Sequence, residues 1–447
     1  MSVDASSFPQ RPLDWHRRVL VLAIPIILAN LTQPILAAVD TGMAGHLSDP
    51  AALGGVALGG VLFNFIFWGF GFLRMGTSAL VAQAHGAGDR GGLGEVQWRA
   101  MLLALVIGLV VLALQGPLIG GGLGLLGGSE AVAAQGMAYA GARIWSAPLA
   151  LGNYVILGSL LGRQQVRAAL VLQAWINLVN IAVVVLLVET LGWGVIGIGA
   201  STAIADASGF ALGAWMLHSL GGAGARPHWR RVLAPEALLR LMRINRDLFL
   251  RTVALLGCFA GFARLGAGQG DMILAANALL LNFQSFMAFA LDGFAHAAEA
   301  LTGAAIGARR HDALRAAVRT GLIWSMIGAG AFALVYAVAG GQIIALLTDQ
   351  ADLREVAGRF LPWVILLPLV SAPGFLFDGV FIGATWTGAL MRAMLICAAL
   401  FAVLAPALRA VWGNHGLWLA LLVFMAARGA TLAMGWSRRL RDTPQAA

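Results

Sequence analysis

The chain has 447 residues, 60% of them hydrophobic and only 11% charged, against about 25% charged in soluble globular proteins. Its net charge of +9 comes entirely from arginine, because no lysine occurs. Those arginines sit mostly in short loops between apolar runs, so the composition excludes a soluble nucleic-acid binder with a basic stripe.

A helical span needs about 20 apolar residues. Twelve such runs follow one another, near 17–45, 52–84, 99–124, 131–162, 166–189, 194–219, 246–267, 272–307, 316–340, 353–384, 388–411 and 413–436. Their lengths are helical; a membrane barrel would show alternating segments of about ten residues. Arg17 and Arg18 precede a run longer than a signal-peptide core, so neither a secretory nor a twin-arginine signal is read there.

The first span holds one acidic residue, Asp40, and two prolines, Pro25 and Pro34. A charge at a membrane helix centre costs roughly 2.5–3.5 kcal/mol on the most lenient scale. A carboxyl held in low dielectric favours its neutral form, which makes Asp40 a candidate proton-coupling group. The prolines are candidate hinges, because each removes a backbone donor from the helix. Gln33 lies two turns before Asp40 on nearly the same face, with Asn30 close to that face. Asp40 lies about 33 Å along the helix from Arg18.

Asn177 and Asn180 in the fifth span share a face. Thr202 in the sixth follows Ser201, with Asp206 one turn on. With Gln33 these are candidate cavity-lining residues. Asp206 reads equally as a second cavity carboxylate or a structural partner. The polar stretch 221–246 divides six spans (1–220) from six (247–447) as a central loop. In the second half, Asp292, His296 and Glu299 form a stripe in the eighth span that suits a relay or a structural network. A second ligand cluster that a metal site would need is missing, so no metal is read. Asp378 in the tenth span reads as a second coupling site or as a bundle-locking ion pair. Arg74 and Arg264 are candidate partners for such carboxylates. Cys258 and Cys397 fall inside apolar runs and imply no disulfide.

Arginine placement orients the chain. Both termini and the central loop are arginine-rich, whereas 46–60, 116–135 and 189–193 have none. Positive-inside then puts both termini in the cytoplasm, with Arg354, Arg359 and Arg409 the main exceptions. The halves also repeat weakly at an offset of 221: Ala79-Leu80 matches Ala300-Leu301, Gly86-Ala87 matches Gly307-Ala308, and Gly158 and Gly162 match Gly379 and Gly383. A repeat of two six-helix bundles is a transporter plan with its site near the midplane. No phosphate-binding loop, dinucleotide fingerprint or nucleophilic triad is evident, so an enzyme is not expected and active transport has to draw on an ion gradient.

Several segments together resemble the multidrug and toxic compound extrusion family, its DinF-like branch in particular. These are Ile24-Pro25 through Asp40-Thr41, Gly76 to Asp89, Asn177 to Asn180, Asp292-Gly293-Phe294-Ala295 through Ala308, Phe377-Asp378-Gly379 through Thr385, and Gly416 to Arg428. The resemblance implies an all-α polytopic membrane protein of twelve transmembrane helices in two six-helix lobes, related by a pseudo-two-fold axis and set in a V. It implies an antiporter of the bacterial inner membrane, expected as a monomer without cofactor, that exports lipophilic cationic drugs in exchange for protons. By position, Asp40 would be protonated and Asn177, Asn180 and Thr202 would line the N-lobe site. Many members carry an acid where this chain has Val184, and some sodium-coupled members carry one in the seventh span. Both departures favour protons over sodium, the alternative ion. A lipid-linked precursor flippase should show more cavity arginines than Arg74, Arg143 and Arg264. A channel or scaffold fits the hinge prolines less well.

Overall fold

The computed structural model describes the backbone of residues 8–47, 49–220 and 228–442, and the side chains of these except 32–38, 41, 50, 441 and 442. Gln33 and Pro34 lie outside the described side chains. Among the described residues every regular element is a helix. In chain order these are α1 (Pro12–Gly45), α2 (Pro50–Gly69), α3 (Phe72–Gly86), α4 (Arg90–Ala113), α5 (Gln115–Leu126), α6 (Glu130–Arg143), α7 (Ala147–Gly162), α8 (Val166–Val185) and α9 (Gly194–Ser219). A short α10 (Trp229–Val232) precedes α11 (Pro235–Ala267), α12 (Asp271–Gly307), α13 (His311–Leu347), α14 (Ala351–Gly383) and α15 (Thr387–Asp442).

Ten segments among the described residues are long and apolar enough to cross a membrane, with α2–α3 and α6–α7 each forming one. The last of them is two helices. Gly413 breaks α15 at φ +58 and ψ −134, and a Cβ on Gly416 would lie 2.0 Å from the Leu408 carbonyl oxygen, so the chain doubles back there. Counting both halves of α15 and adding α1 gives the twelve spans read from the sequence.

Helix α11 begins at Pro235, eleven residues before the span expected from residue 246. Its first turns are amphipathic: Leu241, Ile244 and Leu248 are buried, while Arg240 and Arg243 are exposed. The arginines interrupt the apolar run without interrupting the helix, because their spacing keeps them on the solvent side. Pro235 at the start and Glu236 in the first turn suit a helix N-terminus.

The chain divides into two compact units, 28–245 and 1–27 with 246–447. Helix α1 is shared between them, dividing at Ile27, two residues after Pro25. In the first unit α7 packs on α3 and α4; in the second, α14 packs on α12, α13 and α15. The backbone repeats the 221-residue offset at its turns. Gly88 and Arg309 have φ +68 and +57, Gln164 and Thr385 +59 and +55, and Gly192 and Gly413 +68 and +58. The first two pairs close helices with the same six-to-one bond: Asp89 N to Ala84 O and Arg310 N to Ala305 O at 3.0 and 2.8 Å, then Gln165 N to Leu160 O and Trp386 N to Phe381 O at 2.8 and 2.9 Å. That is a left-handed helix stop, kept across the repeat even where the residue is not glycine.

Candidate transport site

In the first unit the C-terminal end of α1 carries Asp40. Val39 and Met43 on either side of it pack against the unit's apolar core, which includes Phe63, Tyr139 and Leu151. Asp40 itself is half-buried. Its Oδ1 is buried with no hydrogen-bond partner among the described residues.

The cationic group nearest in effect is Arg143, the last residue of α6. Tyr139 sits one turn earlier on the same helix, so the two side chains meet. Arg143 Nη1 donates to Tyr139 Oη at 2.5 Å, and the guanidinium lies 4.7 Å from the centre of the Phe63 ring. The aromatic face and the hydroxyl hold the cation in an otherwise apolar setting. From there Arg143 exerts electrostatic attraction on both Asp40 and Asp206. Asn153 donates to the Asp206 backbone carbonyl at 2.9 Å, and the side chains of Ser146 and Asn153 reach its carboxyl. Tyr154 lies within the field of Arg74, Asp206 and Arg143.

Asn177 and Asn180 are both buried on α8. Asn180 Nδ2 donates to Thr202 Oγ1 on α9 at 3.0 Å, and Asn177 Oδ1 accepts from Gln173 at 3.3 Å. The amide–hydroxyl bond joins two of the cavity candidates to each other rather than to Asp40, and Asn180 Oδ1 is left without a partner among the described residues. Val184, where the family resemblance leads one to look for an acid, is fully buried in the apolar core.

The second unit handles its charges differently. Asp378 on α14 is buried, and its Oδ2 accepts from Arg251 on α11 and from Arg428 on α15, the latter at 2.7 Å. Two guanidinium groups on one oxygen tie three helices together. On α12, His296 Nδ1 contacts Glu299 Oε2 at 3.2 Å, with Glu299 almost wholly buried and its Oε1 without a hydrogen-bond partner among the described residues. Asp292, one turn before His296, is half-buried. Among the described residues no three His, Cys, Asp or Glu side chains converge as metal ligands do.

Sequence reasoning passed over Tyr139, Ser146, Asn153 and Tyr154. A signal was available: the chain has only three tyrosines, and Tyr139 stands one helical turn from Arg143. Arg251 and Arg428 were also missed as partners of Asp378.

The MatE family model matches residues 25–186 and 258–407. The chain belongs to the MatE family. DNA damage-inducible protein F of Escherichia coli (strain K12) is 41% identical over 435 residues, covering 96% of this chain and 92% of that protein. Multidrug resistance protein MdtK of Edwardsiella ictaluri (strain 93-146) is 26% identical over 380 residues, covering 82% of this chain and 81% of that protein. In fold, this MatE chain matches a MOP superfamily transporter from Pyrococcus furiosus with a TM-score of 0.86 at 18% identity, over 96% of each chain. MatE homologues are transporters rather than enzymes, and this MatE chain is a polytopic membrane protein of that multidrug efflux family. The first matched segment contains Asp40, Arg143, Asn177 and Asn180; the second contains His296, Glu299 and Asp378.

Proposed function

We propose that this MatE chain is a proton-coupled antiporter that exports lipophilic organic cations, with Asp40 as its coupling carboxylate. The observation that carries the reading is the state of Asp40. It is a half-buried carboxyl on a membrane helix, and its Oδ1 has no hydrogen-bond partner among the described residues. A carboxyl kept for structure alone would be held as Asp378 is, by two arginines.

Ionised Asp40 presents the charge that a cationic substrate needs; protonated, it gives that charge up and tolerates a dry, closed site. The two states exchange one cation for another. Arg143 shares its field between Asp40 and Asp206, so neutralising either carboxyl strengthens its hold on the other. Asn177, Asn180, Thr202 and Gln33 supply neutral polar groups around a mainly apolar substrate. Pro25 is the hinge: it cannot donate to the Val21 carbonyl, and the boundary between the compact units falls just beyond it, after Ile27. Proton uptake from outside bends α1 and releases the drug outward. The protein works as a monomer in the bacterial inner membrane, with both arginine-rich termini in the cytoplasm.

Purified protein in proteoliposomes, given a pH or a sodium gradient and the lipophilic cation ethidium, tests this. The pH gradient drives ethidium transport by wild type and not by Asp40→Asn, which keeps its thermal stability. Gradient-driven transport that survives in Asp40→Asn sinks the assignment, and transport driven by sodium alone replaces the proton.

A further inference from the structure

The second unit contains a half-open cavity of about 580 Å³ between α11 and the first helix of α15, with Gly257, Arg264, Ala402 and Pro406 exposed along it. That is within the range of small-ligand sites, about 300–1,000 Å³. Its walls are small or apolar, Gly257, Gly261 and Phe401 among them, and Arg264 is the one charged residue among the described lining. Arg409 stands at the same end. Its Nη1 would lie 3.2 Å from a Cβ on Gly268, four residues after Arg264 and just past the end of α11. The structure records no ion pair or side-chain hydrogen bond for either arginine among the described residues. Arg409 was also an exception to the arginine pattern of the loops.

The internal repeat gives this cavity a counterpart. At the offset of 221, Gly261 corresponds to Asp40, Ala398 to Asn177, Phe401 to Asn180, and Arg264 to Met43. All four second-unit residues belong to the cavity lining. Each polar candidate of the first unit is replaced by an apolar residue, the first unit's Arg143 corresponds to Val364, and a cation stands instead at the position of Met43. A lipophilic cation would be repelled there. A neutral apolar molecule would leave the arginines unused, and a small inorganic anion would leave the walls unused.

We propose that this cavity binds an amphiphilic anion, with its apolar body between α11 and α15 and its anionic group on Arg264 and Arg409. The lining from Ala254 to Leu265 runs about 16 Å along α11, room for an alkyl chain or a fused-ring body. Guanidinium groups recognise carboxylate, sulfate and phosphate alike, so the occupant is either an anionic lipid of the bilayer or a free amphiphile. The site stands apart from proton coupling and does not depend on Asp40.

The test is equilibrium binding without any gradient, so its failure is separable from failure of the antiport reading. Full-length protein in phosphatidylcholine nanodiscs is titrated with fluorescent dansylundecanoate, and with its methyl ester as the neutral control. The acid binds saturably. Arg264→Gln weakens it about tenfold, and Arg264→Lys recovers most of the loss. Gly257→Leu, at a position where a Cβ meets nothing within 4 Å, adds apolar volume to the lining and also weakens binding. The ester binds weakly and is insensitive to Arg264→Gln. Competition by added phosphatidylglycerol identifies a membrane lipid as the occupant, and binding unaffected by it identifies a free amphiphile. Thermal unfolding of each variant separates lost binding from lost fold. Equal affinity of wild type, Arg264→Gln and Gly257→Leu for the acid overturns the proposal.

Discussion

A Cβ placed on Gly379 would lie 2.0 Å from the carbonyl oxygen of Ala295. Gly383 stands in the same relation to Glu299 at 2.2 Å, Gly158 to Arg74 at 2.5 Å, and Gly162 to Ser78 at 2.6 Å. Each glycine and each carbonyl residue has its counterpart 221 positions away, so α14 meets α12 in the second unit as α7 meets α3 in the first. In lipid, where apolar burial drives association weakly, such close backbone approach is what helix packing uses.

Gly379→Ala therefore forces α14 away from α12. Overpacking of this kind costs roughly 1–3 kcal/mol, read as a lower unfolding midpoint in detergent. Gly330→Ala is the control. It lies on α13, where a Cβ meets nothing within 4 Å, and it gains about 0.5–1 kcal/mol from reduced chain entropy. Equal midpoints for the two variants would contradict the close-packing account.

Removing the carboxyl that joins three helices leaves two cations facing each other. Asp378→Leu strands Arg251 and Arg428 in a buried setting, and breaking a buried pair in this way costs about 3–5 kcal/mol. The triple variant with Arg251→Met and Arg428→Met removes the stranded charges and recovers much of that loss. Thermal unfolding of the single and triple variants measures the difference. A triple variant no more stable than Asp378→Leu would show that the cost lies in packing rather than charge.

The spans were readable because each is a run of apolar residues long enough to cross a bilayer, bounded by arginine or a turn. The start of α11 was not, because Arg240, Arg243 and Arg246 break the run while keeping to one side of the helix. Asp40 stood out as an acid in an apolar stretch. Its surroundings did not: Tyr139 lies one turn from Arg143 in the sequence, but that Phe63 joins it in holding the guanidinium is seen only in the fold. The partners of Asp378 lie 127 and 50 residues away in sequence, and any arginine near a span end could have served. The glycine repeat was visible as spacing, but its meaning needed the facing carbonyls.

A buried amide network holds α12 against the second helix of α15. Asn277 and Asn414 exchange hydrogen bonds at 2.8 and 2.9 Å, and Trp418 Nε1 donates to Asn277 Oδ1 at 2.9 Å. Asn277→Leu leaves the Asn414 amide and the indole N–H without their partner at once, at about 1–3 kcal/mol for each stranded group. The double variant Asn277→Leu with Asn414→Leu should be less destabilised than the sum of the two single variants, because each single change already breaks the shared bonds. Additive losses in thermal unfolding would rule out the reciprocal pair as one unit.

The hydroxyl of Tyr139 provides a test inside the proposed transport site. Tyr139→Phe keeps the ring and its edge-on contact with Phe63, whose centroid lies 6.3 Å away, and removes only the oxygen that accepts from Arg143. A hydrogen bond to a charged group is worth about 1.5–3 kcal/mol, so the unfolding midpoint falls. The functional effect follows from where the freed guanidinium goes. Arg143 already attracts Asp40 and Asp206; released from Tyr139, it binds one of them more tightly and competes with the cationic substrate for that charge. Ethidium transport driven by a pH gradient then slows severalfold, with a raised KM, while transport still requires the gradient. Unchanged stability and unchanged KM in Tyr139→Phe would mean that the Phe63 ring alone positions Arg143. Loss of gradient dependence would mean that Tyr139 itself belongs to the proton path.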